Sequence, residues 1–196
     1  SEGGMNKYEK DIIKNLDNTV YSFDYGDVHF AVLNSGHDWG TEDLVTDLQK
    51  NWLIEDMKKS NKKWKVVLVH IGVYRNDTSG ISTHSLYSIM DECDIDFVMQ
   101  GHDHITLRSK PMKNDVAYEN ETPNVISHKN GTVYDIMGYA GYRSGNSPKE
   151  HDYTEVIAPI KQGNPNYNIV TFDSDKISVT TKAIDGTVMD EFIITK

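Results

Sequence analysis

Alternation of apolar and polar residues predicts a β-hairpin over residues 20–35, VYSFDYGDVHFAVLNS. Aromatic and polar side chains alternate as far as Tyr25, and an apolar return run extends from His29 to Leu33. Gly26 and Asp27 separate the two runs and are residue types that favour tight turns. The pattern therefore predicts two antiparallel strands joined at Gly26-Asp27.

An amphipathic pattern follows the hairpin and predicts a helix that opens at Thr41. Leu44, Leu48, Trp52 and Met57 recur at spacings of three to five residues, as expected for one face of a helix. Lysines are concentrated after Met57, where the dipole of a helix favours positive charge.

Two continuous apolar runs flank a second helical pattern. KVVLVH at 65–70 and DFVMQ at 96–100 lack polar alternation, which predicts strands buried on both faces. Between them, the residues from Thr83 to Cys93 place their apolar side chains on one face of a predicted helix. Such a strand–helix–strand unit has a right-handed crossover, so its two strands are expected to be parallel.

The pattern changes after Arg108. Short runs rich in β-branched and aromatic residues alternate with turn signals such as Asn130-Gly131 and Asp185-Gly186, which predicts antiparallel strands. Residues 141–166 are rich in Gly, Pro, Ser and Asn and predict a surface loop. The chain is therefore predicted to be α/β, with a mixed sheet in which a parallel strand–helix–strand unit precedes antiparallel strands. Apart from a poorly defined leading segment at residues 1–19, no domain boundary is visible.

Composition places the chain among folded globular proteins. Apolar residues make up 37% and charged residues 26% of the 196 residues, which is too apolar for a disordered chain. The net charge of −10 argues against nucleic acid as a partner, because such binding needs a basic surface. A small phosphate ester remains compatible, since a local metal ion can outweigh distant surface charge. No apolar run approaches the roughly 18 residues of a membrane span.

The single cysteine, Cys93, excludes an intrachain disulfide and a cysteine-rich zinc site. It is predicted to be a small, partly buried apolar residue. A lone thiol fits both the cytosol and disulfide-free secreted proteins of bacteria, and a secreted or cell-surface bacterial location is weakly favoured. The opening Ser-Glu-Gly-Gly, with the first methionine at Met5, shows no signal peptide and favours a mature form or a fragment.

Three histidines form the candidate metal site. His102 and His104 make an H-x-H, a pattern expected roughly 0.3 times by chance at this histidine content and weak by itself. Their context is stronger, because His70 ends one predicted parallel strand and His102 follows the next by one glycine. Ligands of open α/β sheets bind at the carboxyl ends of the strands. Gly101 is expected to permit the sharp exit from the strand through a positive φ.

Metal ligation competes with the plainer interpretation of three surface or capping histidines. Imidazole suits zinc, iron, manganese or nickel better than magnesium. A two-metal site also needs carboxylates, including one that bridges the ions, and no convincing set is visible. Asp103 is expected to point away from an ion shared by its two neighbours and to support the ligands without contacting the ion.

Other histidines are weaker candidates. His84 begins the second predicted helix and is a candidate proton donor, with an exposed first-turn histidine as the alternative. Asp27-Val28-His29 and Gly36-His37-Asp38 look like parts of metal motifs but are interpreted as loop or turn residues. His29, His128 and His151 are expected to be solvated or half-buried.

The ordered blocks of this sequence resemble the carboxyl half of a calcineurin-like metallophosphoesterase, closest to a purple-acid-phosphatase-like bacterial branch. The blocks are YSFDYGDVHFAVLNS, QKNWLIEDMKKSNKKWKVVLVHIGVY, DFVMQGHDH, GTVYDIMGYAGY and DKISVTTKAIDGTVMDEFIITK. They span residues 20–196. The resemblance implies half of a four-layer α/β/β/α sandwich that hydrolyses phosphomonoesters or phosphodiesters.

The resemblance also implies roles for the three histidines. His70 and His102 correspond to ligands of the second of two metal ions, and His104 corresponds to a ligand of the first. Iron, zinc or manganese pairs would polarise a small phosphate ester and activate water or hydroxide for in-line attack.

The sequence departs from the family pattern in an important way. D-x-H, G-D and G-N-H motifs, which would supply the bridging aspartate and the remaining ligands, are absent from the nineteen residues before Val20. The chain is therefore interpreted as an incomplete part that requires the amino-terminal half of its own domain and is inactive alone. Two alternatives remain, a non-catalytic interaction or scaffold domain with a decayed site, and a cupin-like metal protein, which would want a glutamate near residues 107–109.

Overall fold

The structure is a computed structural model and describes residues 19–35, 44–77, 83–120, 122–142 and 145–196. Two helices are present in these ranges, α1 (Asp47–Lys59) and α2 (Tyr87–Glu92), together with 3₁₀ turns at His84–Leu86 and His128–Asn130. The strands in chain order are β1 (Tyr21–Tyr25), β2 (Val28–Leu33), β3 (Trp64–Ile71), β4 (Phe97–Gly101), β5 (Ile105–Ser109), β6 (Met112–Lys113), β7 (Val116–Ala117), β8 (Val125–Ser127), β9 (Val133–Met137), β10 (Thr154–Pro159), β11 (Asn166–Phe172), β12 (Lys176–Ala183) and β13 (Val188–Thr195).

A seven-stranded mixed sheet forms the centre of the fold, in the order β1-β2-β3-β4-β9-β5-β10. Strands β2, β3, β4 and β9 are parallel to one another, whereas β1, β5 and β10 pair antiparallel with their neighbours. A second sheet has the order β11-β12-β13-β8, and β6 and β7 form a small ribbon. This is the mixed α/β sheet that the sequence predicts.

Two apolar cores cover the two faces of the large sheet. Adjacent residues of β3 point to opposite cores: Val66 packs towards the second sheet and Val67 towards the helices. The core on the helical side includes Leu53 of α1 and Met90 of α2. The described residues thus form three layers: helices, large sheet and small sheet. No described helix is long and apolar enough to cross a membrane.

The predicted hairpin is confirmed, with β1 and β2 paired across Gly26-Asp27. The predicted start of the following helix is wrong, because α1 begins at Asp47 with the Thr46 side chain as its N-cap. Leu44 lies before the helix, Leu48 is 46% exposed, and Thr41 lies outside the described residues. The buried face is instead formed by Gln49, Leu53 and Met57.

The predicted strand–helix–strand unit is confirmed. Strands β3 and β4 are parallel neighbours, joined through a 3₁₀ turn and the short helix α2. Cys93 follows α2 and is buried. The carboxyl ends of β3 and β4 therefore lie side by side, which is the arrangement that the candidate histidines require.

The prediction of antiparallel strands after Arg108 is confirmed for β10 to β13 but is wrong for the pairing of β8 and β9. Strand β9 inserts between β4 and β5 and runs parallel to β4, and β8 runs parallel to β13. The predicted loop at 141–166 contains β10, which pairs with β5 at the edge of the sheet. Local alternation cannot report either feature, since strand partners are chosen by long-range packing.

Buried charged groups lie between the two sheets. Arg108 of β5 is fully buried and donates to both carboxylate oxygens of Asp190 at 2.7 and 3.1 Å. Asp135 of β9, opposite Arg108 in the register, is 1% exposed and neither of its oxygens has a hydrogen-bond partner within the described residues. Burial and the nearby Asp190 raise the pKa of Asp135 to about 8, against a smaller opposing effect of Arg108.

Candidate metal centre

His70 and His102 meet at the carboxyl ends of β3 and β4. Their ring centroids are 5.4 Å apart and the rings are nearly perpendicular, at 89°. Two imidazoles bound to one ion through bonds of about 2.1 Å place their centroids about 5 Å apart at a tetrahedral angle. The spacing therefore suits two ligands of one ion.

Gly101 lets these two rings approach, although the predicted reason is wrong. Its φ is not positive, and the left-handed conformation falls instead on His102 at 72° and His104 at 49°. A Cβ atom on Gly101 would lie 3.3 Å from Nδ1 of His70, so the absence of a side chain makes room for the His70 ring.

His104 is placed differently from the other two histidines. Its ring stacks on Tyr139, with centroids 4.0 Å apart and an interplanar angle of 19°. Tyr139 follows β9, the strand next to β4 in the sheet. His104 still lies close enough for its charge to lower the pKa of His102. No group of three or more His, Cys, Asp or Glu side chains positioned for an ion occurs within the ranges that the structure describes.

Electrostatics favour the neutral form of His102, which is the form that binds metal. Burial is the main effect that lowers the pKa of His102, and Asp103 opposes it. The positive charges of Arg75, His70 and His104 lower the same pKa further.

Asp103 bonds to the loop after β3, and its orientation away from a shared ion stays a prediction. It is 3% exposed, and its Oδ2 accepts hydrogen bonds from the backbone N–H of Asn76 at 2.6 Å and of Asp77 at 3.4 Å. Asp103 therefore connects the turn after β4 to the loop after β3.

His84 is the candidate proton donor, and its contacts lead to another cluster. Its Nε2 lies 3.1 Å from Oδ2 of Asp115, and its ring packs against Tyr74 and Tyr87. Asp115 also accepts a hydrogen bond from the Tyr74 hydroxyl at 2.8 Å. These contacts anchor His84 to the turn between β6 and β7, and its catalytic role stays a prediction.

The D-x-H of residues 27–29 is a structural element rather than a metal motif. Asp27 lies in the hairpin turn, but His29 belongs to β2 and is buried, where a solvated or half-buried residue was expected. Its Nδ1 lies 2.7 Å from Asp24 and its Nε2 lies 2.8 Å from Asp56, so both ring nitrogens are already used. His37 lies outside the described residues.

His128 and His151 are half-buried, as predicted. His128 lies 3.6 Å from Asp96, and Nε2 of His151 lies 3.0 Å from the carbonyl oxygen of Asn76.

Arg75, Asn76 and Tyr139 are the residues near the site that sequence reasoning missed. Arg75 and Asn76 are buried and follow β3 within six residues of His70, and Tyr139 contacts His104. The polar run Arg75-Asn76-Asp77 indicated only a loop, and nothing in its spacing marks a buried asparagine. Tyr139 lies far from His104 in sequence and is brought near by the unpredicted insertion of β9.

The described residues fit a metal ion in part. His70 and His102 have the donor type and spacing of two ligands, and Asp103 supplies support behind them. A complete ligand set would need donors beyond those that the described residues bring together.

A family model for the calcineurin-like phosphoesterases matches residues 4–106, more than half of the chain. Among curated proteins, the chain is similar to "Probable inactive purple acid phosphatase 1" of Arabidopsis thaliana, with 24% identity over 90% of this chain and 30% of that protein. The chain thus spans about 30% of the length of this relative.

Among solved structures, the fold is similar to the purple acid phosphatase PPD1 of yellow lupin, with a TM-score of 0.71 at 20% identity over 90% of this chain and 32% of that one. It is also similar to GAP50, described as the anchor in the inner membrane complex of Plasmodium, with a TM-score of 0.60 at 12% identity over 90% of this chain and 53% of that one. At these identities the likeness concerns the fold alone. The family match over residues 4–106 carries the assignment, and the chain belongs to the calcineurin-like phosphoesterases.

Proposed function

We propose that this chain is part of a metal-dependent hydrolase of phosphate esters. The observation that carries the proposal is the 5.4 Å pairing of the His70 and His102 rings at the ends of two adjacent parallel strands. It is supported by the family to which the chain belongs and by the lowered pKa of His102, which keeps an imidazole lone pair available near neutral pH.

His70 and His102 are proposed as ligands of one ion, and His104 as the ligand of a second. Iron, zinc or manganese suits such imidazole donors. When bound, the ions would polarise the phosphate ester and lower the pKa of water. Asp103 holds the histidine turn in place, and His84 is proposed to protonate the leaving group.

The proposal includes a partner, the amino-terminal half of the same domain. No group of three or more His, Cys, Asp or Glu side chains that could hold an ion occurs among the described residues, and the chain covers only 30% of its relative. We therefore propose that residues 20–196 are the carboxyl-terminal part of the domain, in a secreted or cell-surface protein of the bacterial branch. The other half would supply the carboxylates, including the bridging one. Neither nucleic acid nor a membrane span is part of the proposal.

Hydrolysis of p-nitrophenyl phosphate and of bis(p-nitrophenyl) phosphate by the complete protein tests this function. Activity is expected with added manganese, zinc or iron, and His102→Ala is expected to abolish it. His128→Ala is a matched control, because His128 is a half-buried histidine outside the site. A complete protein with wild-type rates after His102→Ala would overturn the proposal.

Metal analysis of the 196-residue chain after desalting tests its incompleteness. Well under two ions per chain are expected, since the site lacks donors. Tight binding of two ions would show that this chain already holds the full ligand set.

A non-catalytic scaffold is the second candidate. It is favoured by the similar proteins of Arabidopsis thaliana that are named probable inactive purple acid phosphatases. The same assay separates the two functions, because a scaffold would show no metal-stimulated turnover in the complete protein. Absence of D-x-H and G-N-H motifs before Ser1 in the complete protein would support the scaffold.

A further inference from the structure

We propose that Asp103 and Asn76 are positioning residues that fix the histidine turn and hold residues 145–153 beside the candidate metal site. The inference rests on the proposed function, because it gives these two polar side chains a role in arranging its ligands. Both residues are almost fully buried, at 3% and 2% exposure, and both use their side chains to bind backbone groups.

Asp103 forms the first link. Its carboxylate accepts the N–H groups of Asn76 at 2.6 Å and Asp77 at 3.4 Å. Asp103 stands between His102 and His104, and Asn76 follows β3 six residues after His70. One carboxylate therefore ties together the two chain segments that carry all three candidate ligands.

Asn76 forms the second link. Its Oδ1 accepts the N–H of Lys149 at 2.7 Å, and its Nδ2 donates to the carbonyl oxygen of Ser147 at 3.1 Å. Residues 146–150 are exposed and have no helix or strand of their own. The buried Asn76 amide forms hydrogen bonds to the backbone of Ser147 and Lys149, and it therefore determines the path of an otherwise exposed segment.

The same segment is held at its ends. Nε2 of His151 lies 3.0 Å from the Asn76 carbonyl oxygen, and the Tyr153 hydroxyl donates to the carbonyl oxygen of Arg75. At the other end, Gly145 donates to the carbonyl oxygen of Ile160 at 3.0 Å. A Cβ on Gly145 would meet the carbonyl oxygen of His104, so this end of the segment packs directly on the histidine turn.

Backbone strain explains why the turn needs such support. His102 and His104 both adopt left-handed conformations, at φ values of 72° and 49°. Each conformation is unfavourable in a residue with a side chain, and it persists only where the surroundings hold it. The Asp103 hydrogen bonds and the packing of Gly145 act on the same four-residue turn and compensate for this strain.

The network therefore has a consequence for the site. Loss of the Asp103 hydrogen bonds would let the His102–His104 turn relax. Loss of the Asn76 hydrogen bonds would release residues 147–149 from their place beside the candidate metal site. Mutation of residues that support metal ligands in this way usually lowers metal affinity by roughly 10- to 100-fold.

Zinc titration calorimetry of the 196-residue chain tests the inference with Asp103→Asn and Asn76→Asp. Both variants keep the size of the side chain, and each replaces one hydrogen-bonding function. Asp190→Asn is the matched control, because Asp190 is also a buried aspartate but binds Arg108 between the sheets. Asp103→Asn and Asn76→Asp are expected to weaken zinc binding about tenfold, and Asp190→Asn is expected to leave it within about twofold despite its loss of stability.

The imidazole ¹⁵N–¹H spectra of the metal-free proteins provide the second readout. Ring signals of His102 and His104 are expected to shift in Asp103→Asn and to keep their positions in Asp190→Asn. Wild-type zinc affinity in both site variants would overturn the inference. If the wild-type chain binds no zinc, the proposed function still stands or falls by the activity of the complete protein, and the ring spectra decide the inference: unmoved His102 and His104 signals in Asp103→Asn overturn it.

Discussion

Two histidines of this protein, His29 and His102, occupy opposite electrostatic environments. His29 lies between two carboxylates, Asp24 at 2.7 Å and Asp56 at 2.8 Å. Burial alone would lower the pKa of His29, but the hydrogen bonds to Asp24 and Asp56 outweigh it and raise the pKa. His102 lies beside another imidazole and near Arg75, and its pKa is lowered, mainly by burial.

The difference shows how the same side chain serves stability in one place and ligand binding in another. A protonated His29 joins β1, β2 and α1 through charge-assisted hydrogen bonds, and both ring nitrogens are occupied. A neutral His102 keeps a lone pair that a metal ion can use. The sequence motif D-x-H at residues 27–29 therefore marks the structural histidine, whereas H-x-H at residues 102–104 contains the candidate ligand.

The largest expected effect is on the free energy of unfolding and comes from Asp135. Neither carboxylate oxygen of Asp135 has a hydrogen-bond partner among the described residues, whereas His29 has two partners. The pKa of Asp135 is about 8 in the folded chain and 3.8 for an ordinary aspartate. The unfolded chain therefore loses this proton first, and stability falls as pH rises from about 4 to about 8. By pH 7 the loss is on the order of 4 kcal/mol.

Asp135→Asn removes this loss. Urea unfolding at pH 5 and pH 7.5 is expected to show a variant that is more stable than the wild type at the higher pH, with a smaller difference at the lower. Asp175→Asn, an exposed aspartate, serves as the control. Equal pH dependence of Asp135→Asn and wild type would show that Asp135 is ionised in the fold.

The second effect separates the two histidines directly. His29→Gln is expected to lower the free energy of unfolding by about 2 kcal/mol, because the buried ring loses its hydrogen bond to the mostly buried Asp56 carboxylate. His102→Gln is expected to change it by less than about 0.5 kcal/mol, since no carboxylate of the described residues forms an ion pair with His102. Urea titrations at pH 6 measure both. Equal losses in the two variants would remove the distinction between a structural and a ligand-type histidine.

The third effect is on zinc affinity and depends on the close approach of the His70 and His102 rings beside Gly101. Gly101→Ala places a methyl group 3.3 Å from Nδ1 of His70. The displaced ring is expected to reduce the binding free energy of zinc by about 1 kcal/mol. Calorimetry on the wild type and Gly101→Ala measures this, with Ser147→Ala as an exposed control near the site. A zinc affinity unchanged by the methyl group would mean that the position of His70 does not matter for binding.

The smallest effect is the pH dependence that the two histidines give to the free energy of unfolding. Their contributions have slopes of opposite sign. His29 has a raised folded pKa, so its stabilisation is complete below the ordinary histidine pKa and is lost as pH rises through the raised value. His102 has a lowered folded pKa, so its contribution is complete above the ordinary value and is lost as pH falls. Each is expected to stay below about 1 kcal/mol, because Asp24, one of the two partners of His29, is half exposed and His102 is only half-buried.

Thermal unfolding of His29→Gln and His102→Gln between pH 5 and 8.5 isolates these slopes. The first variant should lose the decline of stability at high pH, and the second should lose the decline at low pH. The same change of slope in both variants would contradict the assigned directions.

Much of the fold follows from local sequence pattern. The hairpin at residues 20–35 and the parallel pair β3–β4 were predictable, because turn residues and continuous apolar runs are local signals. The position of β9 was not, since its residues show the same alternation whether the neighbour is parallel or antiparallel. The start of α1 depended on capping by Thr46 rather than on Leu44, which the apolar spacing favoured.

The candidate site was predictable where it depends on strand ends. His70 and His102 come together because β3 and β4 are parallel neighbours, which the sequence pattern indicated. The roles of Asn76 and Tyr139 were not predictable, because each depends on contacts between segments distant in sequence. The left-handed conformations of His102 and His104 contradict the ordinary preference for glycine, which had pointed to Gly101.

The central claim is that His70 and His102 form a metal-binding pair whereas His29 does not. Zinc titration of the wild-type chain, followed in the imidazole ¹⁵N–¹H spectra, tests it most directly. The ring signals of His70 and His102 are expected to shift first and together, while those of His29 stay in place. Early shifts at His29, or zinc saturation with unmoved His70 and His102 signals, would contradict the account.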